Sequence, residues 1–275
     1  MSQVFAIIAA AFYGAADFSG GLATRTISAF RVAAWSQLVG TPLLIIGVAI
    51  MDAPSVSTAD LVYGALAGAF GLTGLILLYA ALAQGTMSVV SPITGVLSAA
   101  IPVMWGVFGG EQLRGLQWLG VLLAISAVLF VARDHSATRV TSRVLFLSVG
   151  AAFGFALFFI AIDQTSDMAG LWPLVGARAV STPLAFIAAV FAGGVAPPPR
   201  RILPVVLIAG LADMAANVTV LLSLQTGPLA VNAVLISLYP AFTVLAAILV
   251  LRERPTGTQR FGIGLALVAA ALLAI

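Results

Sequence analysis

The chain has 275 residues, of which 62% are hydrophobic and 8% charged, with a formal net charge of +3 and no cysteine. Soluble domains carry roughly 45–50% apolar and about 25% charged residues, so a water-soluble globule is excluded and lipid must be the solvent over most of the surface. The basic excess is arginine alone, scattered at the ends of apolar runs rather than gathered in a patch, which argues against nucleic acid; the lack of cysteine excludes a disulfide framework or a thiol site.

A spanning helix needs about 20 largely apolar residues. Polar, glycine and proline punctuation predicts ten, over 3–23, 30–51, 58–83, 86–109, 115–132, 142–163, 170–193, 202–224, 227–251 and 256–275. The first follows directly from the amino end, with no basic stretch of the kind that opens a cleavable signal. It carries Tyr13, Gly14 and Asp17. The second contains Pro42, the third Gly64, Gly68, Gly71 and Tyr79. The fourth contains Pro92, Ser98 and Pro102 and ends at Glu111. A longer basic connection, 133–143, follows the fifth. The seventh contains Arg178 and Pro183. It leads into a connection over 193–201 whose Pro197-Pro198-Pro199 run is stiff and extended. The eighth contains Asp213 and Asn217. The ninth contains Asn232, Tyr239 and Pro240 and ends at Glu253.

The chain repeats itself. FGGEQLRGLQWLGVLLA at 108–124 aligns without a gap on VLRERPTGTQRFGIGLA at 250–266, pairing Glu111 with Glu253 and Gly120 with Gly262. GTMSVV from Gly85 matches GPLAVN from Gly227; Ala67-Gly68 matches Ala209-Gly210; Thr41-Pro42-Leu43 matches Thr182-Pro183-Leu184. The offset stays at about 141–142 residues, the mark of a duplication. Residues 1–134 and 140–275 are thus expected to be two five-helix repeats. An odd number of spans per repeat turns the second copy upside down. The arginines agree, because orientation follows their excess on the cytoplasmic side. Arg25, Arg31, Arg133, Arg139, Arg143, Arg200, Arg201, Arg252, Arg254 and Arg260 all belong to one set of loops. Arg114 stands alone in the other, and Arg178 lies inside a span. The expectation is an all-α membrane protein of ten transmembrane helices in two inverted repeats, with both termini outside and His135 in an inner loop.

These features resemble the drug/metabolite transporter superfamily, in its ten-helix EamA-type branch, over nearly the whole chain. The span ends GGEQL (109–113) and LRERP (251–255) carry the resemblance, together with SLYPAFTVLAAILV (237–250), which sets a proline thirteen residues before its glutamate. The first copy departs from the pattern: Ser98 stands where the second has Pro240. The resemblance implies a secondary transporter of small polar or amphipathic metabolites, with amino-acid and drug exporters prominent among its members. The expected localisation is the inner or plasma membrane.

Charges at mid-bilayer are costly and usually paired. Arg178 lies about 12 Å along the seventh span and Asp213 about 16 Å along the eighth, at 1.5 Å per residue. They are read either as a structural ion pair or as a substrate-carboxylate anchor and a proton carrier. Their mates in the first repeat, Gln37 and Gly71, are uncharged. Asp17 is read as a proton site or as a side chain reaching an inner vestibule. Glu111 and Glu253 are read as interfacial caps paired with arginine, with a catalytic role as the alternative. Tyr13, Tyr79, Ser98, Asn217 and Tyr239 are the candidate substrate-binding residues, with interhelical glue as the alternative for each, as for Asn232. Trp105, Trp118 and Trp172 read as an aromatic belt. Pro42 and Pro183, at matching places, are candidate hinges.

An intramembrane enzyme is the rival from another class. Asp163 and Asp167 form a D-x-x-x-D pair, but no second acidic cluster and no nucleophile–base pair accompanies them. A channel is the other. No metal, organic cofactor or P-loop is implied. The expected partners are a small-molecule substrate, an amino acid or related metabolite, and the bilayer.

Overall fold

A computed structural model describes residues 1–85, 87–132, 141–251 and 256–273. His135, Arg133, Arg139, Arg252, Glu253 and Arg254 lie outside the described residues. All regular structure among the described residues is helical: α1 (Ser2–Ala23), α2 (Ala29–Ile50), α3 (Thr58–Leu82), α4 (Met87–Phe108), α5 (Gly115–Ala132), α6 (Ser142–Asp163), α7 (Trp172–Phe191), α8 (Leu203–Gln225), α9 (Leu229–Ile236), α10 (Tyr239–Leu251) and α11 (Gly257–Leu273), with one 3-10 turn at Asp167–Ala169. Each of α1, α2, α3, α6, α7 and α8 is long and apolar enough to cross a membrane. Large apolar side chains such as Ile45, Phe146, Phe191 and Leu249 face outward, as they do when lipid rather than water surrounds the chain. The protein is a multi-pass membrane protein.

Local chemistry sets the helix ends. Ser28 caps α2 by accepting the Arg31 N–H, Thr141 caps α6 in the same way, and Ser57 with Asp60 forms a reciprocal capping box on α3. Proline in the first turn starts α7 and α8, where its missing N–H costs nothing. The expected single helix over 227–251 is two. Pro240 has no N–H to give the Ile236 carbonyl, and its ring crowds that carbonyl, so α9 stops at Ile236 and α10 restarts at Tyr239. The helical path continues through Pro42 and Pro183.

The helices pack α1 on α8, α3 on α6, α2 on α8, α7 on α3, α2 on α7 and α5 on α11. Small residues allow the close approaches. A Cβ on Gly68 would strike the Ala177 backbone, and one on Gly210 would strike the Ser36 backbone.

The two ends of the bundle differ. On the end carrying Ser2, the Asp60 carboxylate accepts the Ser166 N–H at 2.7 Å, and the Ser55 N–H donates to the Met168 carbonyl. Gln225 Nε2 donates to the Gly170 carbonyl at 3.1 Å. On the opposite end the Arg31 guanidinium donates to the Ala196 and Pro197 carbonyls, and Trp35 Nε1 to that of Val195.

Candidate functional site

Arg178 on α7 and Asp213 on α8 meet as a buried ion pair, with Nη2 2.7 Å from Oδ2 and both side chains under a tenth exposed. Asn217 stands one helical turn beyond Asp213. Its Nδ2 donates to the Asp213 carbonyl at 2.7 Å, which leaves Oδ1 to accept the Tyr13 hydroxyl at 3.2 Å. A polar chain thus runs from α7 through α8 to α1. Beside it Ser181 donates to Gln37 Oε1 at 2.8 Å, tying α7 to α2.

These groups line a cavity of about 40 Å³, walled by Leu72 and Leu75 of α3 and by Phe155 and Phe158 of α6. A cavity needs about 10–15 Å³ per water, so this one holds a few waters and no metabolite. A second cavity, of about 20 Å³, lies between α1, α4, α6 and the α9–α10 break. It is lined by Asp17, Ser98, Ser237 and Tyr239 with Phe159 and Ile236. Tyr13 and Phe155 border both cavities, and the Tyr13 ring meets Tyr239 edge-on at 6.4 Å. A third space, of about 490 Å³, is an apolar groove between α2 and α7 that includes Thr41, Thr182 and Pro183 and has Arg178 at one wall.

Seven of the eight expected binding or charged residues therefore border the two inner cavities: Tyr13, Asn217, Arg178 and Asp213 the larger, Asp17, Ser98 and Tyr239 with Tyr13 again the smaller. Tyr79 borders neither; it is buried with Leu78 and Val32, its ring against Gly20. Asn232 donates to the Ser223 carbonyl at 2.7 Å near the Ser2 end and also lines neither cavity. Glu111 was expected to cap a helix beside an arginine. It does cap one, taking the Leu229 and Ala230 N–H groups of α9 at 2.9 Å each. Trp105, Trp118 and Trp172 are all more than a third exposed. The sequence reading missed Ser181, Gln37 as its partner, Phe155 and Ser237. Only Gln37 carried a signal, as the repeat mate of Arg178.

Among the described residues no cluster of histidine, aspartate and glutamate is suited to a metal ion. No curated protein matches the chain. One solved crystal structure of a protein shares the fold with a TM-score of 0.77, covering 98% of this chain and 95% of its own at 15% identity. The model of the EamA-like transporter family matches twice, over residues 1–133 and again over 142–275. The two matches leave only the connecting loop uncovered, and the chain belongs to the EamA-like transporter family, a family of membrane transporters.

Proposed function

We propose that the protein is a ten-span secondary transporter of the inner or plasma membrane that exports amino acids or similar small amphipathic metabolites by alternating access. Its two five-helix halves are inverted repeats, with both termini outside. The double family match supports the duplication. So do the paired packings: Gly68 meets Ala177, and its mate Gly210 meets Ser36, each pair offset by about the same 141 residues. Arg25, Arg31, Arg143, Arg200 and Arg201 lie toward the end opposite Ser2, which supports that end as cytoplasmic.

The observation that carries the reading is the cavity at the junction of the halves. It offers a cation, a carboxylate, an amide and hydroxyls beside leucine and phenylalanine walls. Such a lining suits a solute with a charged head and an apolar body. Asp60 and Glu111 tie segments together at one end of the bundle and Arg31 does so at the other; alternating access would release these ties in turn and widen the cavity for a solute. A second reading, efflux of bulkier aromatic drugs, draws on Tyr13, Phe155, Phe159 and Tyr239 around the smaller cavity.

Counterflow in proteoliposomes tests it. Vesicles preloaded with an unlabelled amino acid should accumulate the labelled one transiently. Absence of overshoot across amino acids and cationic drugs would remove the carrier reading, since a pore or an enzyme gives none.

A further inference from the structure

We propose that the smaller cavity is a binding site for one compact monovalent cationic group, with Asp17 as its counter-charge. Asp17 is buried, 5% exposed, and no hydrogen bond or ion pair engages its carboxylate among the described residues. Arg178, the cation within the neighbouring cavity, is already engaged by Asp213.

The rest of the lining has only acceptors to offer. A hydroxyl has one proton to give and two lone pairs. Each of the four hydroxyls of this cavity has an acceptor elsewhere within hydrogen-bond distance, Asn217 Oδ1 for Tyr13 and the Gly95, Val234 and Ser91 carbonyls for Ser98, Ser237 and Tyr239, so each can give its proton there and turn a lone pair to the cavity. What remains to face Asp17 is lone pairs. The backbone adds more of the same. Pro240 deprives the Ile236 carbonyl of its helical donor, no other backbone N–H among the described residues replaces it, and Ile236 is one of the residues that line the cavity. That carbonyl ends α9, where the helix dipole is negative. The remaining walls are Phe155 and Phe159, whose ring faces attract cations.

A carboxylate left alone at membrane depth is costly, and nothing in the lining offsets it. One carboxylate balances one positive charge, and the volume of about 20 Å³ admits an occupant of one or two water sizes. Those limits fit a sodium or potassium ion stripped of water, or the ammonium head of a solute. Neutral oxygens at a broken helix are a recurrent way of holding such ions in transporters. The cation serves the transport cycle proposed above. Its binding is measured without any solute, so the two readings fail separately.

The test is the melting temperature of the purified full-length protein in detergent, at constant ionic strength. Sodium, potassium and methylammonium chlorides are compared with N-methylglucamine chloride. At saturation one of the small cations should raise Tm by about 3 °C or more, and Asp17→Asn should not respond. A response to sodium or potassium assigns the site to a free ion; a response to methylammonium alone assigns it to the ammonium head of a solute. Ser98→Ala, which keeps the carboxylate and the fold, should shift the response to higher cation concentration, and it stands in if Asp17→Asn does not fold. No cation-specific rise in the wild type overturns the proposal. So does an equal rise in Asp17→Asn, or a rise produced by acid alone, which would make the occupant a proton.

Discussion

Gly68 on α3 lies against the backbone of Ala177 on α7, with no space for a methyl group between them. The contact between Gly210 and Ser36 repeats it on the other side of the bundle. Both involve backbone, which cannot swing aside. Gly68→Ala and Gly210→Ala are each expected to cost about 1–3 kcal/mol as overpacking. Size-exclusion profile and Tm of the purified variants measure this. Gly257→Ala, where a Cβ meets open space, should leave both unchanged. Equal behaviour of all three would refute the tight packing.

Arg178 and Asp213 should behave as a unit. Removing one partner strands the other as a buried charge, which typically costs about 3–5 kcal/mol, while replacing both with apolar residues is often tolerated. Asp213→Leu and Arg178→Met should each lower Tm, and the double variant should recover most of the loss. Strictly additive losses in this cycle would show that the two residues are not coupled.

Glu111 holds two N–H groups of α9 from the end of α4. Glu111→Ala should destabilise the protein by about 1–2 kcal/mol, the usual cost of a lost helix cap. Glu111→Gln keeps one acceptor oxygen and should fall between. Thermal unfolding with an intrinsic tryptophan signal ranks the three, and a wild-type-like alanine variant would dismiss the cap.

The topology is checked with single cysteines, which the natural chain lacks. Met168→Cys, on an exposed turn at the Ser2 end, should react with an impermeant maleimide added to whole cells. His135→Cys should react only after permeabilisation. The reverse pattern would invert the proposed orientation.

Pro183 borders the groove between α2 and α7, and Pro42 follows Thr41 on its other wall. If these prolines let the halves rock, Pro42→Ala and Pro183→Ala should slow counterflow several-fold while solute binding changes little. Unchanged turnover in both would remove the hinge role.

The helical class and the polar residues of the site were legible because water-loving groups are expensive in lipid. Arg178, Asp213 and Asn217 stood out for that reason, and their meeting follows from the cost of leaving them apart. Phe155 did not stand out. Inside and outside are both apolar here, so Phe155 at the cavity reads the same as Phe153, which faces outward. Hydrophobic periodicity, which marks the buried face of a helix in water, has little to report in such a chain. Tyr79 stood out as well, yet a tyrosine in a span marks a polar contact or simply a large ring, and here the ring packs over Gly20 and borders neither inner cavity. The acceptor-only character of the cavity around Asp17 was out of reach, because it depends on where each hydroxyl sends its proton.

The closures at the two ends use opposite chemistry. At the Ser2 end carboxylates, Asp60 and Glu111, hold backbone N–H groups; at the other a guanidinium, Arg31, holds backbone carbonyls. Parting the first closure leaves bare carboxylates at the Ser2 mouth and parting the second a bare guanidinium at the other, so the two mouths would meet their surroundings with opposite charge.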